Sequence, residues 1–252
     1  MNYTIRHDYM AIRSSGSVPK RAKLQIMLHS IESGNLNGAA EGTGAWFENP
    51  NVQGSTHFGV DCNSIQQYLP VNAIAWGAPY ENRDCIHIEQ VGYAKWSRSE
   101  WLKTKEYLDR VAWLLAKLCK EYGIPIRVLT DDQVRRNVKG IMTHGQATRV
   151  HKVAGGHVDP GPGYPMDWVI KKAKLYYNAE LIDKTDIISL KRMMRDYAYS
   201  NDVKIPYTFA VNKNWGDGAK TLAWRISGRL GIGNSTKYSI RLYSALLKWR
   251  NT

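Results

Sequence analysis

The chain has 252 residues, 43% hydrophobic and 11% aromatic, and its 35 Lys and Arg against 22 Asp and Glu give a formal charge of +13. This composition excludes intrinsic disorder and can bury a large core, and the length fits one full domain with a small appendage. Apolar stretches such as VAWLLAKL and IPIRVLT are broken by Lys or Arg well short of the roughly 20 residues that a membrane-spanning helix needs, so no transmembrane segment is expected.

The first 23 residues contain basic side chains but no apolar run before a small-residue cleavage site, which predicts a product made in the cytoplasm without a secretory signal. Residues 14–19, SSGSVP, read as a loop, and residues 23–30, KLQIMLHS, as a buried strand that ends on His29. A short helix over 37–48 closes at Asn49-Pro50, and 57–69 reads as a hairpin around Asn63. Residues 84–90, DCIHIEQ, alternate as a strand, with Ile86 and Ile88 on one side and His87 and Glu89 pointing outward.

Ser97 and Glu100 form a capping box that opens a helix of about 25 residues, apolar at Trp101, Leu108, Val111, Leu115, Leu118 and Tyr122 and closed by Gly123. Strands follow at 124–129 and 139–143, the second delivering His144. Residues 145–165 read as a long Gly- and Pro-rich loop, and Asp167 caps a helix to about Tyr177. Strands alternating with helices indicate an α/β fold with a mixed central sheet flanked by helices. Apolar helical patterns at 187–199, 219–230 and 236–249 then suggest a small basic helical module. The expected domains are 1–178 and 186–252.

Three cysteines, Cys62, Cys85 and Cys119, are an odd number without CxxC spacing, which argues against a disulfide framework and a cysteine-only zinc site. The positive charge predicts attraction to a polyanion, and nucleic acid, anionic membrane and bacterial wall polymers all qualify. The last 75 residues carry +7 of it. His29 and His144 end predicted strands and Asp159 lies on a loop, so the three can converge on one sheet edge although 115 and 15 residues separate them. Three N/O ligands of this kind leave a fourth zinc position free, the arrangement of a catalytic site.

The segments IMLHS, CIHIEQVGYA, THGQ and above all HVDPGPGYPMDW resemble the zinc-dependent N-acetylmuramoyl-L-alanine amidases of the phage-lysozyme and peptidoglycan-recognition superfamily, over about residues 20–178. The resemblance implies that His29, His144 and Asp159 bind Zn2+, that Glu89 activates water and that His157 stabilises the transition state. Two departures stand out. Many members have Trp-His where this chain has Trp76-Gly77, and Thr56 occupies the place of a catalytic tyrosine found in some, so Glu89 bears that role alone.

The implied reaction is hydrolysis of the amide between N-acetylmuramic acid and L-alanine by a phage endolysin. Its partners would be peptidoglycan and anionic wall polymers, with no specific nucleic acid. Lacking a signal, such an enzyme would need a separate membrane-permeabilising protein to reach the wall from the host cytoplasm. The tail VNKNWGDGAKTLAWRISGRLG resembles peptidoglycan-binding modules of some wall hydrolases. Two alternatives stand beside this reading: a non-catalytic muropeptide-binding protein, and a metal-dependent nuclease, which usually needs more clustered carboxylates than Glu89 and Asp159. His57 and His87 are assigned packing or supporting roles, His151 a surface position, and Trp46, Trp76 and Trp96 core positions with sugar stacking as the alternative.

Overall fold

Short runs rich in Ile, Val, Leu and Met, bounded by polar residues, pair most stably as the inner strands of a sheet covered on both faces. In the computed structural model, which describes residues 3–153, 156–180, 186–204, 206, 217–232, 242 and 245–246, five such runs form one sheet. They are β1 (Gln25–Leu28), β2 (Phe58–Val60), β3 (Ile65–Gln67), β4 (Cys85–Gln90) and β5 (Gly140–Thr143), in the order β3-β2-β4-β1-β5. β1 runs parallel to both β4 and β5, β2 runs parallel to β4, and β2 and β3 form the antiparallel hairpin. The sheet is mixed, as the alternation of elements predicts.

The helices are α1 (Ala39–Phe47), α2 (Arg98–Lys103), α3 (Lys105–Tyr122), α4 (Asp131–Arg135), α5 (His144–His151), α6 (Met166–Glu180), α7 (Asp186–Ser200) and α8 (Asp217–Arg229). The Ser97–Glu100 capping box is present, a feature worth about 1 kcal/mol. The single long helix expected after it is two helices, broken at Thr104, whose backbone is extended. Across the break the Tyr107 hydroxyl donates to the Trp101 carbonyl (3.0 Å), an acceptor that a continuous helix would use. α3 then ends at Gly123 in the left-handed conformation and lies against β2.

Residues 124–129 do not form a strand. Pro125 has no N–H, the Arg127 amide turns back to the Pro125 carbonyl, and pairing shrinks to one bridge between Val128 and Ile141. The expected loop over 145–165 begins instead with α5, capped by Thr143, whose side chain accepts from the Gln146 amide. α4, another capping-box helix built on Thr130 and Gln133, has no counterpart in the sequence reading.

By contact the chain divides into two units, Met1–Lys174 and Leu175–Thr252. In the first, Met27, Cys85 and Met142 share a sheet face with Ala147 and Val150 of α5, while Ile26, Leu28, Ile86 and Ile88 are fully buried on the opposite face. In the second, Leu190, Met194, Leu222 and Ile226 pack α7 against α8. Most of the helix expected over 236–249 lies outside the described residues. Among the described residues no helix is long and apolar enough to cross a membrane.

The loop that carries Asp159 is held by backbone packing. Gly161 has φ +90°, and a Cβ built there would lie 1.9 Å from the Ala94 carbonyl oxygen. Gly161→Ala should therefore destabilise the fold by about 2 kcal/mol or more, a fall of roughly 4 °C or more in the thermal midpoint. An unchanged midpoint would show that the loop yields.

His57 is fully buried beneath the sheet's polar face, and burial, reinforced by the Lys23 charge, pushes its imidazole from 6.5 down to about 3. As pH falls from 6.5 toward 3 the unfolded chain takes a proton that the folded chain refuses, so stability is fully present above that window and is lost within it. Urea midpoints at pH 7 and 5 should differ more for the wild type than for His57→Asn; equal differences would contradict this.

Candidate active site

Strand register brings the candidate residues together. Leu28 pairs with Ile88 and with Thr143, so the next positions, His29, Glu89 and His144, meet at the carboxyl ends of three adjacent parallel strands. Ligand and catalytic groups of open α/β sheets gather at this edge. Thr143, as N-cap, fixes the first turn of α5 and with it His144. At the other end of α5, His151 Nε2 lies 2.6 Å from Glu81 Oε1 and its ring stacks on Tyr80, so His151 is half-buried and paired.

Asp159 arrives on its loop with three anchors. The Ser30 amide donates to its Oδ2 (3.2 Å), the Gly145 amide donates to its carbonyl (2.8 Å), and Tyr164, farther along the loop, packs edge-on against Trp101 and donates to Gln90 Oε1 (2.9 Å). The Asp159 carboxylate then faces two imidazoles. His29 Nδ1 is 3.5 Å from Oδ2, His144 Nδ1 is 3.2 Å from Oδ1, and the two Nδ1 atoms are 3.1 Å apart. All three residues are buried, and their donor atoms fall within 4.8 Å of one another. Burial alone would raise the Asp159 carboxyl, but the two imidazoles beside it hold it well below the usual carboxylate range. Burial lowers the His29 imidazole, which keeps the ring neutral and able to donate a lone pair.

This donor set fits a metal cation. The Nδ1 atoms of His29 and His144 face each other across a gap that one proton at most can serve, and Asp159 Oδ1 is buried without a hydrogen-bond partner among the described residues. A cation would satisfy all three at once.

Around the trio lies a cleft of about 830 Å3, lined by Ala39, Thr43 and Trp46 of α1, by Trp76, and by Glu89 and His157. Burial, with the Asp159 and Glu32 carboxylates nearby, pushes the Glu89 carboxyl from 4.5 up to about 8, and its Oε2 is unpartnered. His157 is 72% exposed; it stacks on His144 with ring centroids 4.3 Å apart, and its Nδ1 is 3.5 Å from Asp159 Oδ1. Trp46 is no core residue but stands 56% exposed on the cleft wall, while Trp96 packs on Trp101. His87 does not point outward to solvent: a central parallel strand is covered on both faces, and His87 is fully buried below the trio, whereas Glu89 is half-buried and opens into the cleft. Sequence reasoning left His87 without a specific role, although its alternation with Glu89 already put both on the site's face.

The profile of the family described as N-acetylmuramoyl-L-alanine amidase (Amidase_2) matches residues 21–162. Among solved structures, the Staphylococcus aureus hydrolase AmiA, crystallised with its ligand, shares 16% identity over 72% of this chain and 87% of its own, with a TM-score of 0.56. A mutant endolysin from Bacillus subtilis shares 23% over 70% and 99%, with a TM-score of 0.45. The N-acetylmuramoyl-L-alanine amidase LysC from Clostridium intestinale shares 16% over 69% and 99%, with a TM-score of 0.41. No curated protein matches in sequence. Because the family profile spans more than half of its length, the chain belongs to the N-acetylmuramoyl-L-alanine amidases, hydrolases of peptidoglycan.

Proposed function

We propose that His29, His144 and Asp159 hold a zinc ion and that Glu89 and His157 carry out the hydrolysis around it. The observation that carries this reading is the convergence of three buried N/O donors within 4.8 Å at the head of a cleft that also contains Glu89. A zinc ion bound there would polarise the scissile carbonyl and acidify a water molecule.

Glu89 takes the proton of the attacking water and returns it to the departing L-alanine nitrogen. One carboxylate can perform both transfers because it lines the cleft beside the trio, within the space where water and the departing nitrogen would meet. Among the described residues no tyrosine lines the cleft, and Thr56 does. His157 is exposed toward the cleft on the face of His144, a place from which it can donate to the oxyanion. Products are the free lactyl carboxylate of the glycan and a peptide with a free L-alanine amino terminus.

The second unit is read as a wall-targeting module. On α8, Trp224 is exposed one turn after Lys220 and next in sequence to Arg225, a pairing of aromatic and cationic groups suited to anionic wall polymers. Arg241 and Lys248, two further basic residues of the tail, lie outside the described residues, as does the Asn214-Trp215 pair of the tail motif. Tethering would raise the local concentration of bonds to cut without further catalytic contacts. The reading is that of an endolysin, which reaches the wall with the help of a separate membrane-permeabilising protein.

Digestion of purified peptidoglycan should create free L-alanine amino termini, detected by mass spectrometry, and a chelator should abolish them until zinc is restored. Asp159→Asn should weaken zinc binding by at least about tenfold in a chelator competition. New reducing sugars, or digestion indifferent to chelation, would count against the reading. Glu89→Gln should retain zinc yet lose about 10²- to 10⁴-fold in turnover; full activity in that variant would remove Glu89 from the chemistry.

A further inference from the structure

We propose that His87 is a positioning residue for the reaction, its ring Nδ1 being the acceptor that fixes the tautomer and orientation of His29. The proposal rests on the assignment of His29 as a metal ligand. β4 places His87 beside Met27, and its Nδ1 lies 3.0 Å from His29 Nε2. A single proton serves that contact, and its location decides what His29 can do. With the proton on His29 Nε2, the lone pair of His29 Nδ1 faces His144 and Asp159. With the proton on His87 Nδ1, a neutral His29 is protonated at Nδ1 and has no lone pair to offer there. Ligating imidazoles generally donate their second N–H to a fixed acceptor, which sets the tautomer and the ring plane.

His87 is built to be such an acceptor. Its backbone amide donates to His57 Nδ1 (3.0 Å), and His57 Nε2 in turn meets the Ala73 carbonyl (3.0 Å). These two backbone partners leave His57 one tautomer. The His57 ring lies parallel to that of His87, 3° apart in plane with centroids 5.8 Å apart, and backs it on one side. Gly77 comes close elsewhere: a Cβ there would lie 2.7 Å from His87 Nδ1, so the departure from Trp-His at Trp76-Gly77 makes room for this ring.

The far nitrogen shows that packing alone does not explain the residue. His87 Nε2 is buried and has no hydrogen-bond partner among the described residues. Acceptance at Nδ1 obliges that atom to carry a proton, so the ring tolerates an unsatisfied N–H in exchange for a correctly oriented lone pair beside His29. A leucine would fill the same space without that penalty.

The test measures zinc affinity by competition with a fluorescent chelator in wild type, His87→Asn, His87→Leu and His29→Ala. Asn places an amide oxygen close to the Nδ1 position and should bind zinc within about threefold of wild type, whereas Leu should lose about 10- to 100-fold. Long-range ¹H–¹⁵N spectra of the zinc-loaded wild type should show His29 protonated at Nε2, a readout that needs no variant to fold. Protonation at Nδ1, wild-type affinity in His87→Leu, or equal loss in His87→Asn and His87→Leu would each overturn the proposal. Unchanged affinity in His29→Ala would instead overturn the ligand assignment on which it rests, and the two failures are thereby separated.

Discussion

The parallel pairing of β1 with β4 on one side and β5 on the other governs the rest of the structure. Register in a sheet admits no half-steps: a slip of one residue turns every side chain to the other face. With Leu28 opposite both Ile88 and Thr143, His29, Glu89 and His144 leave the sheet at one level and on one side. A one-residue slip could put Ile88 at the level of Glu89 in the first pairing, and Thr143 or Gly145 at the level of His144 in the second. The pairing is in turn enforced by the apolar residues of the opposite face, Ile26, Leu28, Ile86 and Ile88, so the hydrophobic core and the chemistry obey the same register.

Burial at this edge has a second effect. The polar face of β1 and β4 runs from Lys23 through Cys85 and His87 to Glu89, mostly shielded from water. In such surroundings charge is costly unless compensated. The imidazoles of His29, His57 and His87 stay neutral, Asp159 stays ionised between two rings, and Glu89 holds a proton more readily than a solvated carboxylate. Lys23 is itself pushed down to about 8 by burial while donating to the Cys85 carbonyl.

The five strands of the sheet and the convergence of His29, His144 and Asp159 were legible in the sequence because they combine a local pattern with chemistry, although 124–129 also read as a strand and is not one. LQIML and CIHIE are compact apolar runs, and the string around Asp159 is distinctive. What was illegible depends on contacts that apolar periodicity does not register. At the break the Tyr107 phenol reaches the Trp101 carbonyl, invisible to a helical periodicity that continues through it. α5 is short, polar and embedded between glycines, so His144 looked like the end of a strand rather than the first residue of a helix. Alternation put His87 and Glu89 on one face, but only the covering of a central parallel strand reveals that this face is interior. Trp46 and Trp96, alike as aromatic residues in the sequence, part company in space, one on the cleft wall and the other in an aromatic cluster.

The anchoring of the Asp159 loop by main-chain packing sets a limit on adaptation. His29 and His144 ride on paired strands, and the third donor is pinned between the Ser30 and Gly145 amides with Gly161 pressed against the Ala94 carbonyl. The entropy of gathering these donors is therefore spent when the polypeptide folds rather than when an ion arrives. Such a framework has little slack, because strand pairing or main-chain packing fixes the place of each donor.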